Sequence, residues 1–151
     1  MKLRLGLITL MIVATAGCGS TLDAARGSVE PTPTDFAGLV KALSEQELTV
    51  DDVVSGDPGC AEKELVPMAI SFTLSGAGIT TPVRARVYLF ATQASYDKLR
   101  QLVDTCAVAW IANPAALLMV DAAPYVLVTE GIPEGAPADA IRAALSAAAG
   151  N

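Results

Sequence analysis

The sequence predicts an α+β fold: an antiparallel sheet of about 4-5 strands with helices packed on one face. Residues 66–90 hold two runs of period two around a glycine-rich turn, which marks a hairpin with one face on a core. Residues 35–46 and 92–106 carry apolar side chains at helical spacing, and a third such segment closes the chain. The order helix, three strands, helix, one or two strands, helix completes the prediction.

At the N-terminus, Lys2 and Arg4 precede a twelve-residue apolar run, residues 5–16, which ends in small residues before Cys18. A positive segment, a short apolar stretch and a small-residue cut site describe a secretory signal, too short to span a bilayer. Thr15-Ala16-Gly17-Cys18 resembles a bacterial lipobox, with Thr15 where leucine is commoner. The resemblance implies that Cys18 is diacylated on sulfur and becomes the first residue of an extracytoplasmic chain, anchored to the cell membrane by its acyl chains without spanning it. An ordinary cleaved signal with an incidental cysteine is the competing reading. A core helix is another, although an uncharged helix would need burial on every side. The layout is then a signal peptide (1–17), an acylated cysteine and flexible tether (18–33), and one domain (34–151).

Without Lys2 and Arg4 the mature chain carries 8 Lys+Arg against 16 Asp+Glu. So acidic a surface has no footprint for nucleic acid and is repelled by anionic head groups, leaving the anchoring to the acyl chains. Three cysteines are odd for an exported chain. With Cys18 acylated, Cys60 and Cys106 are the two left in an oxidising compartment, and one disulfide is expected between them. A redox or metal pair is the weaker alternative, because they lie 46 positions apart without CxxC spacing and the chain has no histidine.

Residues 19–33 are rich in Gly, Ser, Thr, Ala and Pro and read as linker, stiffened by Pro31-Thr32-Pro33. Thr34 is placed to cap a helix starting at Asp35, with Phe36, Leu39, Val40 and Leu43 on one face. Residues 48–54 are β-branched, and Ser55-Gly56-Asp57-Pro58-Gly59 is the clearest turn signal in the chain. In the hairpin, Met68, Ile70, Phe72 and Leu74 alternate with polar or small residues. On its return strand Val83, Ala85, Val87 and Leu89 face one way, Arg84, Arg86 and Tyr88 the other.

Thr92 or Ser95 caps the second helix, whose stripe of Tyr96, Leu99, Leu102, Val103 and Cys106 puts Cys106 on the buried side. Residues 107–111 read as a short strand, Asn113-Pro114 as a break, and residues 117–120 as apolar but open between strand and helix. Residues 125–130 form a strand. Residues 133–137 turn the chain, with Pro137 at the first helical position, and Ile141, Leu145 and Ala148 line a final helix to Gly150.

The helix containing Phe36-Ala37-Gly38-Leu39-Val40, then Leu48-Thr49-Val50, Val87-Tyr88-Leu89-Phe90-Ala91-Thr92 leading into a helix, Trp110 with a nearby proline, and Tyr125-Val126-Leu127-Val128 resemble the small exported lipoproteins of unknown function from high-GC bacteria. The resemblance covers roughly residues 35–130, and the chain departs from it at Cys60 and Cys106. It carries over no catalytic residue.

Chemistry has few places to reside. Without histidine, Ser-His and Cys-His nucleophile systems are excluded. Glu45, Glu47, Asp51, Asp52, Asp57, Glu62 and Glu64 are offset by Lys63 alone, and read as a solvated acidic rim or a calcium site. An EF-hand spacing is missing, so no metal or other cofactor is assigned. Arg84, Arg86 and Tyr88 form a row on one sheet face, either a ligand platform for carboxylate, phosphate or glycan, or cross-strand pairs with Ser71 and Thr73. Trp110 is a core anchor or an exposed contact. The function expected is a non-enzymatic binding module with an envelope protein or peptide partner. A small-ligand carrier with a cavity between helices and sheet is the alternative, and a carboxylate-dependent envelope hydrolase the weakest reading.

Overall fold

The computed structural model describes residues 35–132 and 134–150. The expected signal peptide, Cys18, the expected tether and the expected cap Thr34 fall outside the described residues.

Helix α1 (Phe36–Glu45) begins where the extended backbone of Asp35 turns its carboxylate onto the Gly38 amide. Asp35 is therefore the cap, and the helix starts one residue later than the sequence reading placed it. Leu39 and Leu43 are fully buried, and Phe36 meets Phe72 with ring centroids 5.8 Å apart.

Strands β1 (Leu48–Ser55), β2 (Ala69–Gly76), β3 (Ile79–Leu89), β4 (Leu117–Ala122) and β5 (Tyr125–Glu130) form one antiparallel sheet in the order β1-β2-β3-β5-β4. The predicted fold class is the one observed. From Asp51↔Thr73 to Val54↔Ser71, β1 takes three steps against two on β2. Asp52, at φ 53°, accommodates the extra residue as a bulge, which with its charge discourages pairing at this edge. The strand pattern fails at Met68, which closes a 3-10 helix (Lys63–Met68) before β2 begins.

Helix α2 (Gln93–Trp110) uses both predicted caps: Thr92 accepts from the Ser95 amide, and the Ser95 hydroxyl accepts from the Thr92 amide. Residues 107–110 extend this helix and are not the strand the sequence suggested. Ala107 and Trp110 continue the stripe of Val103 and Cys106 one turn on, and no breaker intervenes before Asn113-Pro114. Pro114–Ala116 is a short 3-10 turn, and the ambiguous segment after it is β4. Helix α3 (Ala136–Ala149) puts Ala136 first and Pro137 second, one place later than expected, and ends on left-handed Gly150. The donor missing at Pro137 is one that a first turn leaves unpaired in any case.

The layers differ from expectation in one respect. α1 and α3 share a face, packing on Phe72, Leu74, Ala85, Val87 and Leu127. α2 lies on the opposite face, with Leu99, Val103 and Cys106 against Ala69, Tyr88, Val126 and Val128. Tyr88 of β3 and Val126 and Val128 of β5 are fully buried on this second face, and helices on one face alone would have left them in water. At about 25 cal/mol per Å² of apolar surface, the second cover is strongly favoured.

Candidate functional site

Register along β3 sets Tyr88 opposite Ala69, Arg86 opposite Ser71 and Arg84 opposite Thr73. The predicted cross-strand neighbours of the arginines are therefore the ones observed. What the alternation could not show is the cover. A strap of residues 56–60 crosses the row: the Gly56 amide donates to the Ala69 carbonyl at 2.8 Å, and Tyr88 Oη donates to the Pro58 carbonyl at 2.8 Å. Tyr88 is fully buried and presents no surface.

Arg86 is the centre of this arrangement. Its Nη2 lies 2.8 Å from Asp57 Oδ2, its Nε donates to the Asp57 carbonyl at 3.3 Å, and its side chain is 10% exposed. The guanidinium carbon stands 4.4 Å from the Trp110 ring centroid, and that of Arg84 stands 5.8 Å away. Gly59 fits against both groups: at φ +74°, a Cβ there would stand 2.7 Å from Trp110 Cδ1 and 2.8 Å from Arg86 Nε. One residue on, Cys60 is disulfide-bonded to fully buried Cys106, with Cα atoms 5.1 Å apart.

The charges follow the geometry. Partial burial acts to raise the Asp57 pKa, but hydrogen bonds from Arg86, Ser71 and the Gly59 amide, with the Arg86 charge, outweigh it and leave the carboxyl below its ordinary value. Burial pushes Tyr88 up to about 12, and the Asp57 charge adds to this while Arg86 and Trp110 oppose it. Trp110 Nε1 is buried without a hydrogen bond of good geometry, and the Tyr88 hydroxyl is close enough to feel its dipole.

Of the predicted row, Arg84 alone remains open to solvent. Its fork of donors is available over the half-buried Trp110 ring, a surface that can take a carboxylate or stack a ring. Arg86 is already committed to Asp57. The sequence points to Arg84 and Arg86 through period two and to Pro58 and Gly59 only as a turn, with Asp57 read both as a turn residue and as one of the acidic rim or calcium candidates; nothing in the spacing joins the two segments.

A second polar group fastens α2 to β4. Tyr96 Oη and Arg100 Nε both donate to the Asp121 carboxylate, and Arg100 Nη1 donates to Asp104 at 2.6 Å. Burial lowers the Arg100 pKa, but the two carboxylates overcome this and raise it. Burial raises the Tyr96 pKa, with Asp121 adding to the shift.

The acids of residues 45–64 separate: Asp57 turns to Arg86, Asp52 accepts from the Thr73 hydroxyl at 3.2 Å, and Glu64 meets Lys98 at 3.6 Å. Among the described residues no group of three or more Cys, Asp or Glu is placed to hold a metal, so the calcium reading finds no donor set there. The chain matches no protein-family model, no curated protein and no solved structure.

Proposed function

We propose that this chain is an exported lipoprotein, acylated at Cys18 and held at the outer side of the cell membrane, whose folded domain is a non-enzymatic binding module. The observation that carries this reading is the Cys60–Cys106 bond, which joins α2 to the strap and persists in oxidising compartments. With that pair taken, Cys18 is the one thiol left for acylation. The binding role draws support from the fate of the titratable groups. Asp57, Tyr88, Tyr96 and Arg100 have shifted pKa values, and each is engaged in a bond that fastens two elements together. Arg84 beside Trp110 is the surface of this reading that would meet an anionic or ring-bearing partner.

The test is intact-mass spectrometry of protein from the membrane fraction of an expressing bacterium. The expected mass lacks residues 1–17 and gains at least two acyl chains, and Cys18→Ser releases the protein from the membrane. A chain that retains its leader, or a Cys18 without fatty acid, overturns the anchor. For the binding role, an Arg84→Glu variant is expected to lose the envelope cross-links that the parent forms. Unchanged cross-links would overturn that part.

A further inference from the structure

A second surface lies on another part of the domain, where β3 runs past the end of β5. Ladder pairing between these strands covers Ala85 to Leu89 only, so the first half of β3 has no strand beside it there. From Gly76↔Ile79 to Leu74↔Val83, β3 takes four steps against two on β2, and Thr80, Thr81 and Pro82 bulge outward with exposed side chains. A proline is tolerated in a strand at such a bulge. Across from it stand Gly131, Ile132, Glu134 and Pro137, and between the walls lies a groove of about 330 Å³.

The groove is bounded at both ends. A Cβ on Gly131 would lie 3.4 Å from Val83 Cγ1, and one on Gly78 would lie 4.0 Å from Pro137 Cγ. Both glycines, with Gly135, hold φ between +84° and +93°, so the walls are shaped by backbone conformations that L side chains rarely adopt. Ile79 and Val83 belong to the margin of the core and give the groove an apolar bed. Its one charged residue is Glu134, which forms no ion pair among the described residues. Arg84, the next residue along β3, is directed to Trp110.

We propose that this groove takes an extended, basic segment of a partner polypeptide, laid beside the first half of β3 with a Lys or Arg side chain on Glu134. Between these ends the four residues 79–82 have no strand on the groove side and present roughly 13 Å of edge, enough for about four residues of extended peptide. Charge complementarity selects the basic partner: the bed is apolar, the lone charge is an acid, and the chain carries a net −6 that draws cations toward it. The inference rests on the reading of the domain as a binding module and names the partner class at a surface separate from Arg84.

Full-length protein, extracted from membranes in detergent, is titrated with fluorescein-labelled Val-Lys-Val-Lys-Val and with Val-Glu-Val-Glu-Val, and anisotropy is recorded. The lysine peptide is expected to bind saturably and at least tenfold more tightly. Its affinity is expected to fall with added salt and to drop at least tenfold in Glu134→Lys, with an intermediate loss in Glu134→Gln. A benzophenone form of the peptide is expected to cross-link to residues 78–83 or 131–137. Equal binding of the two peptides, no saturation, cross-links elsewhere or an unaffected Glu134→Lys variant would overturn the proposal. So would chain-to-chain cross-links through these residues without peptide, which would assign the groove to a second copy. Trp110 fluorescence reports folding of each variant. A Cys18 found unmodified while the peptide still binds would remove the anchor and leave the groove intact; the reverse result would do the opposite.

Discussion

Asp57 and Arg86 meet at 2.8 Å across 29 residues of sequence, and among the ion pairs of the described residues theirs has the most buried cation, a side chain 10% exposed against 22% for Arg100. Its partner is less protected, with 38% of the Asp57 side chain exposed. Solvent screening therefore reduces what the pair contributes. Asp57→Asn is expected to cost about 1 kcal/mol, and Arg86→Gln somewhat more because it also removes packing on Trp110. Because the folded-state pKa of Asp57 lies below its ordinary 3.8, its contribution is complete above that value and is lost as pH falls below it. Urea unfolding followed by the single tryptophan is expected to show parent and Asp57→Asn converging in stability at low pH. A constant difference down to pH 2 would show that Asp57 acts through something other than its charge.

Gly59 is the second fixture of the strap. Gly59→Ala combines a positive φ with a Cβ at 2.7 Å from the indole and at 2.8 and 2.9 Å from Arg86, so the strap or the ring must shift. A loss of about 2 kcal/mol is expected, with a changed emission maximum for Trp110. Gly150→Ala is the control: it has a comparable φ of +77° but nothing within 4 Å, and is expected to cost about 1 kcal/mol without a spectral change.

The bond next to it closes a loop across a sequence separation of 46. In the chain-entropy model such a link stabilises by about 4 kcal/mol, and Cys60→Ser or Cys106→Ser is expected to lose most of that. The measurement is a pair of urea transitions with and without reductant. Parent protein is expected to shift on reduction and either variant not to.

What the sequence made legible was set by local pattern. Period two placed Val83, Ala85 and Val87 on the correct face, and helical spacing placed Cys106 inside, because each depends only on near neighbours. The side of the sheet that α2 occupies was not legible, since it depends on Tyr88, Val126 and Val128 needing cover at the same time. Alternation groups Tyr88 with a polar row because a phenol suits either a surface or a buried bond; the Pro58 carbonyl that decides it lies 30 residues away. For the same reason sequence proximity groups Asp57 with the acidic rim, although Arg86, its partner, lies 29 residues away. Glu134 gave no signal at all, because a groove between a bulge and a helix start has no sequence period.

The three tyrosines offer a pH test of the whole fold, since each is held by a different contact. Tyr88 donates to Pro58 and Tyr125 to the Asp35 carbonyl, and burial first, then nearby acids, pushes both up to about 12; Tyr96 is raised as well. A group whose folded pKa exceeds its unfolded value of 10 stabilises fully below that value and loses its contribution as pH climbs toward the folded one. Stability is therefore expected to decline between pH 10 and 12, and the phenolate absorbance near 295 nm to stay low until unfolding begins. The declines in absorbance-detected protection and in far-ultraviolet dichroism are expected to coincide. Tyr88→Phe is expected to reduce the high-pH loss while lowering stability at pH 7 by about 1 kcal/mol through the unpaired Pro58 carbonyl. A tyrosine that ionises near pH 10 in the intact fold would show that its hydroxyl is open to water.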